Sequence, residues 1–401
     1  MARSFQYIFF LFTISVCSAN VFGLKVRVLL DEISLEQDYS FSFQCIDRVN
    51  KDEKPYFALQ GLDLALPVRV GLIEKALDIS LKSGRLYSNG KALKSQSIKI
   101  EAIRGYIGYK GNIFEGCFIV TYDGQTLRLI NMLDLESYVT SVVRWESIPT
   151  WPLAVNEAAA IACRSYVFSL LYSKRKTGQP YDIKATNLHQ TYKGIHNFKQ
   201  VEQAVRNTEG LILAYNKKPI VAMYDVCCGG IIPAYLEGID FTKAPYLARD
   251  YPCHYCKDSK VFSWKVEYDL DHIQQLLTGD LGRKAMVKDI RVSQTDKAGA
   301  VQEVSYKVGN TWKTVSGKKL YNLCKEIKSF CFSVNKKLKK VHFGGYGWGH
   351  HLGMCQWGAR QMAKEGCDCK TILRFYYPKA SLMKVITSTK DKGCLNIKNI
   401  S

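Results

Sequence analysis

The chain has no internal repeat and no low-complexity linker, and past residue 16 no apolar run reads as a membrane-spanning helix. Acidic residues are scarce: 36 Asp and Glu stand against 56 Lys and Arg, a formal charge of +20 with histidine neutral. That excess points to an anionic partner, whether nucleic acid, a membrane surface or an acidic envelope polymer. The signatures that would make it a nucleic-acid binder are missing, with no helix-turn-helix, zinc-finger or RNA-recognition motif. The closing Lys-Ser/Thr of a phosphate loop is missing too, although residues 344–353 are rich in glycine. What remains is ordinary for a folded chain: 401 residues, 47% hydrophobic and 12% aromatic, enough for two or three domains and against wholesale disorder.

The first residues favour the envelope. Arg3 precedes a short apolar run, Tyr7 to Val16, followed by small residues at Ser18, Ala19 and Gly23. Such a run is too short for a hydrocarbon core of ~30 Å but suits a secretory signal, with cleavage expected after Ala19 or Gly23. Val16 argues against lipidation at Cys17. An uncleaved signal would leave the chain membrane-anchored. Export separates the protein from chromosomal DNA, so the basic charge is reread as affinity for an envelope polymer.

Residues 24–128 alternate polar and apolar and are broken by turn signals at Lys82-Ser-Gly-Arg, Ser88-Asn-Gly-Lys and Tyr122-Asp-Gly-Gln. They predict a β-rich N-terminal lobe. Helical spacing begins at Leu135 (Leu135, Tyr138, Val139, Val142, Val143), and Pro152 opens a second, alanine-rich helix to Tyr172. Residues 211–226 read as a hairpin turning at Asn216-Lys-Lys-Pro, and 353–365 as a further helix. Lys336 to Lys340 read as a solvated turn. The expected fold is α+β: a signal over 1–23, the lobe over 24–128, a mixed helix and strand core with a substrate cleft over 129–390, and a tail over 391–401.

Three segments carry chemistry. In Val143-Arg-Trp-Glu-Ser-Ile-Pro-Thr-Trp-Pro, Glu146 falls in a short loop beside Trp145, Ile148, Pro149 and Trp151. Apolar surroundings desolvate a carboxyl group and disfavour its charged form, as a general acid requires; a surface glutamate capping the next helix is the plainer alternative. In Asn187-Leu-His-Gln-Thr-Tyr-Lys-Gly and Tyr224-Asp-Val-Cys-Cys-Gly-Gly, the residues Gln190, Tyr192 and Tyr224 are of the kind that line sugar sites, and Gly229-Gly230 permits close backbone approach. In Gly344-Gly-Tyr-Gly-Trp-Gly-His-His-Leu-Gly-Met-Cys-Gln, two histidines approach a helix bearing Gln356 in its first turn. A tight turn packing glycines against aromatics would produce the same pattern.

Taken in this order, the segments resemble the family of the stage II sporulation protein D and the amidase enhancer, exported bacterial proteins that include lytic transglycosylases acting on peptidoglycan. The resemblance runs from about Tyr106 to Ala380. Val-Val-Arg-Trp-Glu146 looks like the segment bearing that family's catalytic glutamate. Trp151-Pro-Leu and Ala162-Cys-Arg-Ser-Tyr look like its Trp-Pro-Leu...Ala-Ala-Arg-Thr-Tyr helix, which matches Arg164 and Tyr166. Gln190, Tyr192 and Gly194 match its Gln-x-Tyr-x-Gly, and Gly347 to Gln356 its Gly-Trp-Gly-His-Gly-Val-Gly-Met-Ser-Gln. The resemblance implies Glu146 as catalytic residue, with Arg164, Gln190, Tyr192, Tyr224, Cys228, His350 and Gln356 as substrate-binding residues. It implies peptide-stripped glycan strands as the partner, no cofactor for catalysis, and, as the alternative, a non-catalytic glycan-binding enhancer of a cell-wall amidase. The chain departs from the pattern at Cys228 and Cys355, which stand for serines, at Cys163 for alanine, Ala159 for glutamine and His351 for glycine. If Cys228 and Cys355 both line the cleft, a disulfide between them would lock its walls.

Fourteen cysteines, thirteen without Cys17, make disulfides the first expectation for an exported chain. Cys253-His-Tyr-Cys256 leaves three readings open: a disulfide, a structural zinc with Cys227 or His254 among the remaining ligands, or free thiols.

Overall fold

A computed structural model describes residues 23–34, 38–47, 56–62, 69–74, 76–174, 178–278, 286–387 and 395–399. The expected signal segment and Cys394 lie outside the described residues. No helix among those described is long and apolar enough to cross a membrane.

The alternating N-terminal region forms two facing sheets. One runs in the order Ile183–Lys184, Lys25–Ser34, Thr126–Asp134, Cys117–Tyr122, Ser97–Ile103, Tyr56–Gly61, Arg69–Glu74. The other runs Asn112–Phe114, Gly105–Tyr109, Tyr39–Asp47, Ala76–Lys82, Arg85–Ser88, Lys91–Ala92. Period-two patterning does what it should: Ile98, Ile100, Phe118 and Val120 all point inward. Phe43 of the second sheet meets Phe118 of the first edge-on, ring centroids 5.4 Å apart. At the Asn89-Gly90 turn both residues adopt positive φ (45° and 78°), as a two-residue hairpin requires. The lobe runs past the expected 128 to Asp134 and recruits a short strand from residues 183–184, because the last strand extends directly into the helix that follows.

That helix, α1 (Leu135–Glu146), is capped by the Asp134 side chain, which accepts the Glu136 N–H at 2.9 Å. Helix α2 (Leu153–Lys174) is apolar on nearly all sides and accordingly sits at the centre, against α1, α3 (Lys199–Asn207) and the strand Leu211–Tyr215. One hydrophobic cluster runs from Val26 in the lobe through Phe168 of α2 to Val385, so lobe and helices share a core.

The expected hairpin over 211–226 is shorter. Leu211–Tyr215 turns into Lys218–Pro219, but Tyr224–Asp225 leaves to pair in parallel with Met354–Cys355. The C-terminal segment is more than a tail, since Leu395–Asn399 extends the sheet of Leu211–Tyr215 and Ser381–Thr387.

Within the expected 129–390 core lies a second hydrophobic cluster. Strands Ser263–Asp269, Val287–Thr295, Val301–Val308, Thr311–Ser316, Cys331–Lys337 and Lys340–Tyr346, with α4 (Leu270–Thr278) and α5 (Gly317–Leu323), enclose Ile273, Ile290, Val304, Leu320 and Phe343. The excursion opens and closes where Ser263 pairs with Tyr346. The lysine-rich stretch is its solvated turn, Leu338 being 90% exposed. The chain then re-enters the main core through α6 (Gln356–Lys364) and α7 (Cys369–Tyr376).

Candidate functional site

Glu146 is the last residue of α1 rather than a loop residue. The turn after it is fixed from below by the buried Asn156 of α2, which accepts from Ser147 Oγ at 2.9 Å and donates to the Pro149 carbonyl at 3.2 Å. Half-buried, Glu146 accepts the Thr191 N–H on Oε1 at 2.5 Å, and its backbone carbonyl accepts from Gln356 Nε2. Among the described residues no hydrogen bond engages Oε2. The expected apolar surroundings are half built: Trp151 is buried, but Trp145 and Ile148 are 40% and 43% exposed.

Behind the glutamate lies a buried polar chain. Tyr138 Oη donates to Gln190 Oε1 at 2.9 Å, and Gln190 Nε2 donates to the Cys163 carbonyl at 3.3 Å and to Tyr224 Oη at 3.4 Å. The Cys163 thiol donates to the same phenol at 3.6 Å. Burial pushes the Tyr138 and Tyr224 phenols far up, and burial followed by the nearby charge of Glu146 does the same to Cys163, so all three stay protonated.

The glycine-rich segment forms the opposite side. Gly349 and Gly353 take positive φ (133° and 70°), and a Cβ on them would fall 2.4 Å from Asp225 Cβ and 1.8 Å from the Met223 carbonyl oxygen. The segment is therefore pressed onto the strand bearing Tyr224. His350 accepts the Leu352 N–H at Nδ1 (3.1 Å) and bonds the Tyr224 backbone, and burial lowers its pKa to about 4, so the ring is neutral at pH 7. His351, where the resembled family has glycine, is itself left-handed at φ 67°; its N–H donates to Asp225 Oδ2 at 2.8 Å and its Nδ1 lies 3.0 Å from the Cys228 carbonyl.

Glu146, Tyr224, His350 and Gln356 thus come together with Gln190 buried behind them, and three other expected binding residues do not join them. Arg164 is wholly buried and forms a two-pronged ion pair with Glu136 (2.8 and 2.6 Å), tying α2 to α1 with no face free for a ligand. Tyr192 is also buried, donating to Asn131 Oδ1 at 2.5 Å and stacked on Tyr138. Cys228 turns away toward Cys253, Cys256 and Cys355, the four sulfurs lying within 4.8 Å of one another. The anticipated Cys228–Cys355 pair is half of this quartet, and no disulfide joins the twelve described cysteines. His254 is exposed, and Cys227 approaches Cys256 and Cys355 from outside the set, its sulfur also 4.0 Å from Ser259 Oγ, so neither is one of the four.

The sequence reading missed the Thr191 N–H, a backbone group that no residue type announces. It also missed the cations over exposed rings. Arg144 and Lys193 lie 4.7 and 4.4 Å from the Trp145 ring, and Lys328 lies 4.9 Å from Trp348. A recess of about 390 Å³ beside α1 is lined by Glu136, Glu202, Arg206 and Glu209, but Glu146 does not reach it.

Comparison with known proteins matches residues 123–215 to the family described as Stage II sporulation protein and residues 252–353 to a domain of unknown function, DUF8618. The first match holds α1, α2 and Gln190; the second coincides with the excursion and its flanks. An uncharacterized protein of Brachyspira hyodysenteriae is 27% identical over 77% of this chain and 80% of its own length. The amidase enhancer of Bacillus subtilis is 27% identical over 60% of this chain, a match that spans only 39% of that longer protein. The stage II sporulation protein D of the same organism is 26% identical over 62% of this chain and 74% of its own length.

Proposed function

Since this chain belongs to the stage II sporulation protein D and amidase enhancer family, which carries a cell-wall-related role, we propose that it is an exported lytic transglycosylase of peptidoglycan. The observation that carries the reading is the state of Glu146. One carboxylate oxygen is anchored on Thr191, the backbone is held by Gln356, and the second oxygen is left without a hydrogen-bond partner among the described residues.

Most glycosidases divide their work between two carboxylates. A transglycosylase acting on muramic acid manages with one, because the sugar's own C6 hydroxyl attacks the anomeric carbon. Glu146 gives its proton to the departing glycosidic oxygen, then takes one from that hydroxyl, and the product is a 1,6-anhydro end. The flanking acids are both engaged, Glu136 by Arg164 and Glu157 by Asn207 Nδ2 at 2.7 Å. Tyr224 and His350, both uncharged, supply hydrogen bonds and no competing charge. Glycan stripped of stem peptides exposes lactyl carboxylates, and the cations over Trp145 and Trp348 suit such a chain, with rings for the sugar faces and ammonium or guanidinium groups for the acids.

The test is incubation of the protein alone with intact and peptide-stripped strands, followed by mass spectrometry. Anhydro ends from stripped glycan are expected. Glu146→Gln, which keeps the shape but cannot donate, should abolish them while leaving glycan binding in place; unchanged product would put the acid elsewhere. The match to an amidase enhancer favours one second reading, a glycan-binding stimulator of a separate amidase. That reading predicts binding without cleavage by the wild type and a rise in amidase rate on mixing.

A further inference from the structure

We propose that Cys228, Cys253, Cys256 and Cys355 bind one zinc ion in a closed, all-thiolate tetrahedral site. The four sulfurs are buried and within 4.8 Å of one another, and Cys228 Sγ and Cys256 Sγ stand 3.8 Å apart. Tetrahedral bonds of ~2.3 Å put neighbouring sulfurs about 3.8 Å apart, so the quartet already has the dimensions of the coordination shell. An iron–sulfur cluster needs wider spacing, because inorganic sulfides and several irons must fit between the cysteines. A disulfide needs two cysteines and gives no reason for two more to converge.

The surroundings are built for negative sulfur. Cys355 Sγ accepts the Cys228 and Gly358 N–H groups, each at 3.3 Å, and Tyr376 Oη lies 3.2 Å from Cys253 Sγ. Gly358 has to be glycine here, since a Cβ would sit 2.1 Å from Tyr376 Oη and 3.0 Å from Cys253 Sγ. Arg249 adds an independent sign. It is 1% exposed, its Nη2 lies 4.0 Å from Cys228 Sγ, its Nε has no partner, and no carboxylate among the described residues forms an ion pair with it. A buried guanidinium without an anion is costly. Zinc displacing four thiol protons leaves a unit of charge −2, which is the anion this arginine lacks.

With four protein ligands the metal has no open position and takes no part in bond cleavage. Its work is to hold three segments together: the turn after Tyr224–Asp225, the Cys253–Cys256 loop, and the strand that ends at Cys355. The next residue, Gln356, is the one that donates to the Glu146 carbonyl, so the ion also fixes one wall of the candidate site.

The full chain, purified under mild reductant without chelator, should contain one equivalent of zinc by elemental analysis. Exchange with cobalt should give intense thiolate-to-metal charge-transfer bands and the visible bands of tetrahedral coordination. Cys228→Ser and Cys355→Ser should each lower zinc retention by at least tenfold, while Cys227→Ser should retain it. Absence of bound metal with all four thiols open to alkylation overturns the proposal, as does a disulfide between any two of them. Equal loss from Cys227→Ser overturns the ligand set. If a ligand variant does not fold, metal content and the cobalt spectrum of the wild type still decide. Zinc content is read without glycan, so a zinc-loaded protein that cuts nothing would refute the lytic reading and leave this site standing.

Discussion

Two arginines are buried to the same degree, Arg164 at 0% and Arg249 at 1% exposure, in opposite company. Around Arg164 the fold supplies Glu136 in two-pronged geometry and the carbonyls of Ala160, Leu211 and Val205. Around Arg249 it supplies two carbonyls, the aromatic faces of Tyr251, Phe375 and Tyr376, and a cluster of sulfur. The first charge is neutralised within the polypeptide. The second meets no carboxylate within ion-pair distance among the described residues, and in the proposed zinc site the thiolates supply its counter-charge. A third base, the half-buried His350, takes another course and gives up its proton.

The comparison can be broken most forcefully at Arg164. Arg164→Met leaves the Glu136 carboxylate with the Gly210 N–H but without its cation and should cost about 3 kcal/mol by urea denaturation; a loss below ~1 kcal/mol would show that the pair is not what joins the helices. Arg249→Met should cost about 2 kcal/mol in zinc-loaded protein and nothing, or less than nothing, after chelation. Equal losses in the two states would mean the arginine never served the cluster. Gly358→Ala disturbs the sulfurs without touching the arginine, forcing a methyl against Tyr376, and should lower stability by about 1–2 kcal/mol while speeding zinc release to a chromogenic chelator. The smallest effect belongs to His350. Burial lowers its pKa from 6.5 to about 4, so between those values the unfolded chain binds a proton that the folded chain refuses. Its contribution is therefore intact above pH 6.5 and declines as the solution is acidified toward pH 4. Thermal melts of His350→Gln should show a flatter slope in that window, and an unchanged slope would assign the pH dependence to other groups.

Periodicity made the N-terminal strands and the first two helices legible, because alternation and 3.6-residue spacing both report directly which side of an element meets the core. Ser97–Ile103 and Cys117–Tyr122 coincide with the expected strands, and α1 carries the expected apolar stripe. Long-range choices were not legible. Nothing local in Tyr224-Asp-Val announces a parallel partner 130 residues away, and Val301–Val308 and its neighbours carry no mark that they enclose a core of their own. At the site, motif order placed Glu146, Gln190, Tyr224, His350 and Gln356 in one neighbourhood but could not separate exposed groups from buried ones. Arg164 and Tyr192 fit the motif because they hold the scaffold, which a residue list cannot distinguish from contact with a ligand. The quartet did have a sequence signal: two cysteines standing where serines are usual, in a chain that also carries Cys253-His-Tyr-Cys256. Reading them as one set of four rather than as separate pairs would have found it.

The meeting of Ser263 with Tyr346, and of Cys227 with Trp348 just beyond, gives the excursion a narrow waist. Roughly eighty residues depart and return through one doorway, and the entropic cost of closing such a loop grows only logarithmically with its length. Apart from Lys328 and Ser329, which meet Trp348 and Gly349, and Asp296, which holds Glu237, the stretch beyond the waist is free to lengthen or shrink at little cost to the main body.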